Sequence, residues 1–160
     1  MSTSPGTDRV TPRRDTEAIP PVRKSILVPW PVERTFRRFT QEMADWWPLD
    51  TYSVGEAKAD TVTFEGRVGG RLFETLQDGT EAEWGRVIAW EPPVRVAFTW
   101  HPGRTEETRQ EIEVTFRPEG EGARVELVHT GWERIAEKPR ETRDGYETGW
   151  DFVLDRFVEA

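Results

Sequence analysis

The sequence contains no cysteine, which excludes disulfides, thiolate metal sites and cysteine nucleophiles. Histidine is almost as scarce, with His101 and His129 alone, so a zinc site would have to rely on carboxylates. His129 and Glu133 flank Gly131 rather than sharing a helix turn, and no metal is expected. Basic charge is in deficit: 22 Lys and Arg against 30 Asp and Glu leave a formal net charge of -8. Such a surface argues against nucleic acid and anionic membranes as partners, since both require a basic face. No apolar run approaches the length of a membrane span, and the first 21 residues lack the apolar core of a secretory signal. The expected location is therefore the cytoplasm. There is no G-x-S-x-G elbow, and no helix follows the glycine-rich Gly66-Arg67-Val68-Gly69-Gly70, which disfavours a phosphate-cradling loop. No catalytic residue and no cofactor are expected on these grounds.

What the sequence does hold is aromatic. Eight Trp, eight Phe and two Tyr give a chain of mean hydropathy -0.73 enough buried area for a core, because each large ring removes much surface from water. The length of 160 residues suits a single domain. Residues 1–21 are rich in Ser, Thr, Pro and charge, a composition expected to stay disordered, which leaves residues 22–160 as the folded unit.

The chain ends on an amphipathic helix. Tyr146, Trp150, Val153, Leu154 and Phe157 fall at offsets of four, seven, eight and eleven, one stripe of a 3.6-residue period, with Glu147, Asp151, Asp155 and Arg156 on the other side. The helix is expected to start near Arg143, after a loop carrying Trp132 and Pro139. Before it, β patterns dominate. Val22–Val28 reads as a first strand, followed by a short helix with Pro31 in its first turn and Val32, Phe36, Phe39 and Met43 on one face. That helix breaks near Thr40, restarts, and stops at Trp46-Trp47-Pro48. A polar connection then leads to alternating runs at Thr61–Arg67, Arg71–Leu76, Glu81–Trp90, Val94–Trp100, Arg109–Arg117 and Ala123–Thr130. Turn signals separate them, Asp78-Gly79 being the strongest. This order predicts an α+β fold in which a curved antiparallel sheet holds one long helix. Charges on the strands, including Glu65, Arg67, Arg71, Glu74 and Glu83, read mostly as a solvated outer face.

An ordered series of short segments resembles the START-like superfamily (SRPBCC, Bet v-like), and within it bacterial homologues of the C-terminal domain of the heat-shock-protein ATPase activator. The series comprises Pro31-Val32-Glu33-Arg34-Thr35-Phe36, Trp46-Trp47-Pro48, Gly69-Gly70-Arg71, Asp78-Gly79 and Gly85-Arg86-Val87-Ile88. It continues with Glu91-Pro92-Pro93-Val94-Arg95-Val96-Ala97-Phe98-Thr99-Trp100, His129-Thr130-Gly131-Trp132 and Gly149-Trp150. The resemblance implies a helix-grip fold, with an apolar cavity between sheet and helix.

Three functions follow as expectations. The leading one is binding of a small hydrophobic or aromatic ligand in that cavity. The ligand-binding residues would be Trp46, Trp47, Tyr52, Phe73, Trp84, Trp100, His129, Trp132, Tyr146 and Trp150. Trp46, Trp47 and Trp132, from loops and helix ends, would stand near the mouth. The resemblance implies two alternatives: a chaperone-associated, stress-response interaction domain, and a START-like enzyme of cyclase or hydrolase type using His129. Monomer and homodimer both stay open.

Overall fold

The computed structural model describes residues 18–159. Seven strands form one antiparallel sheet: β1 (Val22–Val28), β2 (Ala59–Phe64), β3 (Arg71–Leu76), β4 (Glu81–Glu91), β5 (Arg95–Trp100), β6 (Gln110–Glu119) and β7 (Gly122–Thr130). Their spatial order is β1-β7-β6-β5-β4-β3-β2, so the first strand lies beside the last. Helix α1 (Val32–Thr40) and a single turn at Met43–Asp45 follow β1, and α2 (Pro139–Glu159) closes the chain. This is the expected α+β helix grip, a curled half-barrel with a long helix across its concave side.

Alternation places the core. In β7, Ala123, Val125, Leu127 and His129 are buried while the intervening residues are not. In β6, Ile112, Val114 and Phe116 do the same. The sheet curls where its register slips. Leu72 pairs with Gly85 but Phe73 pairs with Glu83, leaving Trp84 as the extra residue of a β-bulge. The bulge turns the Trp84 ring inward, fully buried. It also presses the backbone at Gly85 against β5, where a Cβ would lie 1.7 Å from the Thr99 carbonyl oxygen. Only glycine fits there.

Helix α1 plugs one end of the half-barrel. Phe39 packs on Phe116, Trp46 and Phe157 at centroid distances of 5.9, 5.3 and 5.5 Å. Arg38, almost buried, donates from Nε and Nη2 to the Phe157 carbonyl at 3.1 and 3.0 Å, satisfying an orphan carbonyl of the last turn of α2. On the far edge Lys24 of β1 pairs with Glu147 and Asp151 of α2 at 2.6 and 2.8 Å.

Several boundaries differ from expectation. Helix α2 begins at Pro139 rather than near Arg143. Proline fits a first turn, and Thr142 caps back onto the Lys138 carbonyl through both N and Oγ1 at 3.0 Å. That turn carries no apolar residue, so the hydrophobic stripe does not reveal it. The strand expected at Thr61–Arg67 runs Ala59–Phe64, ending where the Glu65 amide meets the Arg71 carbonyl at 2.9 Å. Val94 belongs to the turn before β5, its amide bonded to the Glu91 carbonyl at 2.8 Å. The N-terminal tail expectation falls for residues 1–17 outside the described residues. Just after them, the Pro20 and Pro21 carbonyls accept from Arg143 at 3.1 and 3.0 Å.

Glu74 corrects the reading of the strand charges. It is fully buried on the inner face of β3. Its carboxylate accepts from Trp84 Nε1 at 2.6 Å and from the amides of Val54 and Gly55 at 2.7 and 2.8 Å. Alternation alone cannot show this, because a buried charge is stable only where several donors converge, and two of these are backbone groups of a distant loop. Glu74→Gln replaces one oxygen by a donor and leaves buried N–H groups unmatched. It is expected to cost about 1–3 kcal/mol and to speed amide exchange at Val54 and Gly55. Unchanged exchange at both would refute this tether.

Candidate functional site

Between the first half of α2, the loop after the Met43–Asp45 turn and the loop after β5 lies a cavity of about 510 Å³. Helix α2 contributes Thr142, Gly145, Tyr146, Gly149, Trp150 and Val153; the first loop gives Trp47 and Thr51, Tyr52, Ser53 and Val54; the sheet side gives Trp100, Pro102 and Gly103. The helix residues share one face. The two glycines hold the wall back, at a conformational cost of about 1 kcal/mol each. A Cβ on Gly149 would meet the Tyr52 ring at 3.6 Å, an ordinary contact. Gly149→Ala is therefore expected to raise stability by about 0.5–1 kcal/mol in thermal unfolding; a loss would mean the helix is strained at that point.

The Glu74 tether fixes the loop wall. By gripping the Val54 and Gly55 amides, it holds residues 51–54 opposite α2, where Tyr52 stacks on Phe152 at 5.6 Å. Trp47 turns its edge to Trp150 at 5.8 Å and packs on Trp100 at 5.8 Å.

Among the described residues no charged one lines the cavity, and its side-chain donors are mostly engaged within the protein. Trp47 Nε1 donates to the Tyr52 carbonyl at 2.7 Å, Trp100 Nε1 to the Tyr146 hydroxyl at 3.0 Å and Trp150 Nε1 to His129 Nδ1 at 3.0 Å. The hydroxyls of Thr51, Ser53 and Thr142 donate to Asp50 Oδ1, the Leu49 carbonyl and the Lys138 carbonyl at 3.2, 2.6 and 3.0 Å.

Behind this wall His129 is fully buried, and its hydrogen bonds fix its state. An indole N–H can only donate, so Nδ1 accepts from Trp150 and the ring proton sits on Nε2. Nε2 then donates to Gln110 Oε1 at 3.2 Å, and Gln110 Nε2 donates to the Thr108 carbonyl at 2.7 Å. Burial drives the imidazole pKa down to about 3. With its only lone pair taken, His129 has none left for a general base. Its hydrogen bond holds the Trp150 indole in place. Tyr146 also stays neutral: burial pushes its phenol up, against smaller opposing effects of the Trp100 hydrogen bond and of Arg104.

Of the residues expected to bind ligand, Trp47, Tyr52, Trp100, Tyr146 and Trp150 meet on the cavity wall. Trp84, Trp132 and His129 form a buried layer behind it, and Trp46 packs between Phe39 and Phe157. Phe73 stands apart. It alternates with Leu72 and Glu74, which point inward, so its ring faces the other side of the sheet, under the Arg71 guanidinium at 4.0 Å. Nor do the loop tryptophans Trp46 and Trp132 stand at a mouth; both are buried. Sequence reasoning took Val153 for plain core, though it too lines the cavity, and it missed Thr51, Ser53, Val54, Pro102, Gly103, Thr142, Gly145 and Gly149. For the last three a signal existed, since Thr142 and Gly149 lie four before and three after Tyr146, and Gly145 lies four before Gly149, so that all three continue its stripe. The loop residues gave none. Among the described residues no group of His, Asp and Glu comes together that could hold a metal, and no helix is long and apolar enough to cross a membrane.

Comparison with known proteins places this architecture. No curated protein matches the sequence significantly. Among solved structures, an anthrahydroquino-γ-pyrone synthase, Txn09, determined as a complex, is 35% identical, with 88% of this chain and 96% of that chain covered and a TM-score of 0.60. The Aha1 dimer from Colwellia psychrerythraea shares the fold at 15% identity, covering 88% and 94% of the two chains with a TM-score of 0.65. Protein MLL2253 from Mesorhizobium loti does so at 19% identity, covering 87% and 94%, with a TM-score of 0.62. The family model described as "Activator of Hsp90 ATPase homolog 1-like protein" matches residues 29–160. The chain belongs to that family, a branch of the START-like superfamily.

Proposed function

We propose that the chain binds a small, largely apolar aromatic molecule in the cavity between α2 and the loop at residues 51–54. One observation carries this reading: a space of about 510 Å³ walled by Trp47, Tyr52, Trp100, Tyr146 and Trp150, with no charged side chain among the described residues that line it. Its size is that of a small-molecule site, and aromatic walls with few polar groups are what such sites use. A flat ring system would find aromatic faces on both sides of such a space.

The test is a panel of tricyclic aromatic compounds, read by thermal unfolding and by calorimetry. A binder present at a hundred times its Kd stabilises the fold by about 2.7 kcal/mol. Gly149→Leu, which projects a side chain toward Tyr52, is expected to abolish that gain while leaving a folded protein. If no compound stabilises the parent, or if the parent and Gly149→Leu respond alike, the cavity is not the site.

A second reading, turnover of the bound compound, is favoured by the 35% identity to Txn09. His129 does not supply its base, so such chemistry would rest on groups that face the cavity. The family description supports a third, stimulation of a heat-shock ATPase, which ATP turnover with and without the chain decides.

A further inference from the structure

Two side-chain protons on the cavity wall have no acceptor among the described residues, those of the Tyr52 and Tyr146 hydroxyls. Tyr52 lies at the mouth, 41% exposed, where water serves it. Tyr146 is different. Its oxygen accepts the Trp100 indole proton at 3.0 Å. Its ring is held against His129 and Trp132 at centroid distances of 5.0 and 5.3 Å. The hydroxyl oxygen is thus pinned, and its own proton is left for whatever occupies the cavity.

From this we infer that the cavity selects aromatic molecules bearing a conjugated carbonyl, an aryl ketone or quinone, and that Tyr146 Oη donates a hydrogen bond to the carbonyl oxygen. The inference rests on the ligand-binding reading above and narrows it. An aromatic hydrocarbon entering the cavity would strip water from the phenol and leave a buried donor unmatched, which is costly. A carbonyl removes that cost. The bond received from Trp100 polarises the phenol and strengthens it as a donor. A carboxylate suits the site less well, because no cation is among the described residues that line the wall, and Arg104, whose charge reaches Tyr146, stands outside them. Selection therefore comes mainly from the penalty on molecules that lack the acceptor, the same asymmetry by which polar pockets reject analogues missing one polar group.

Fluorenone and fluorene differ in this one respect, and calorimetric titration of both gives an affinity ratio. The parent chain is expected to favour fluorenone. In Tyr146→Phe the ratio is expected to fall by about 3- to 10-fold, and the carbonyl stretch of bound fluorenone to lose the red shift that a hydrogen bond gives it. Because the freed indole proton of Trp100 could take the place of the phenol, the double variant Tyr146→Phe/Trp100→Phe is measured alongside. A ratio that falls only in the double variant shows Trp100 replacing the phenol, and Trp100→Phe alone then decides: a ratio kept there leaves Tyr146 as the parent's donor, and a ratio lost there assigns the carbonyl to Trp100 and overturns Tyr146. A ratio unchanged in both variants, with both compounds still bound, overturns the selectivity while leaving ligand binding intact. Failure of both compounds to bind the parent defeats the ligand-binding reading itself, and this inference with it.

Discussion

Trp150→Ala loses about 3–5 kcal/mol of unfolding free energy, read from urea denaturation. Trp150 is 2% exposed, so truncation removes a full indole from the core and joins its volume to the existing cavity, where the walls cannot collapse on both sides. The loss also reaches His129, whose Nδ1 loses its donor at 3.0 Å and becomes a buried acceptor without a partner. Against a total stability of about 5–15 kcal/mol for a domain, the variant is marginal. Tyr146→Phe is the informative comparison. It keeps the ring and removes only the acceptor for Trp100 Nε1, so its cost is expected to be about 1 kcal/mol. Equal losses for the two would mean that the N-terminal half of α2 contributes to the core uniformly and that the cavity wall has no separate character.

Acid is expected to weaken the fold well before the carboxylates titrate, and His129 is the cause. Its folded pKa, about 3, lies below the ordinary 6.5. In this window the unfolded chain binds a proton that the folded chain refuses. The sign is therefore fixed: the full stability is present above pH 6.5 and is lost as pH falls toward 3. At about 1.4 kcal/mol per pH unit, the first two units below the ordinary pKa remove about 2–3 kcal/mol. Three carboxylates are also held low and act in the same direction: Glu65 by the Arg71 amide, Asp78 by the Thr80 hydroxyl and Glu119 by the Arg124 guanidinium. They begin to matter only below their own ordinary values of 4.5 and 3.8, so the upper part of the window belongs to the histidine. Urea midpoints at pH about 7 and about 5 check this, with His129→Gln as the control. The variant is expected to be less stable at both but to show a flatter slope. The same slope in parent and variant would remove His129 as the source.

The sequence made the frame legible because the frame rests on periodicity. Val125, Leu127 and His129 alternate visibly, and Tyr146 to Phe157 forms a stripe, so the sheet, the helix and their facing surfaces could be read directly. The aromatic surplus pointed to a pocket, and the wall does contain five of the residues named for it. What could not be read depends on contacts distant in sequence. Glu74 looks like any strand glutamate until the Val54 and Gly55 amides arrive from another loop. Phe73 looks like any core aromatic until the inward turn of its neighbours Leu72 and Glu74 shows it on the opposite face. The polar loop at residues 51–54 has no pattern of its own, because a tether made from elsewhere decides its position.

The hydrogen bonds from Arg38 to the Phe157 carbonyl join residues 119 positions apart, and among the described residues β1 finds its ladder partner in β7, Val22 opposite His129. Topology of this kind makes for slow folding, since the chain must close its longest loops before the closing contacts reward it. During synthesis β1 and α1 leave the ribosome first, yet neither has its partner until the last strand and the last helix follow. A nascent chain that stops short of β7 and α2 leaves β1 without its ladder partner and the aromatic trough bare, the features that invite association with other chains. The long-range clasp that seals the finished protein thus exposes the unfinished one.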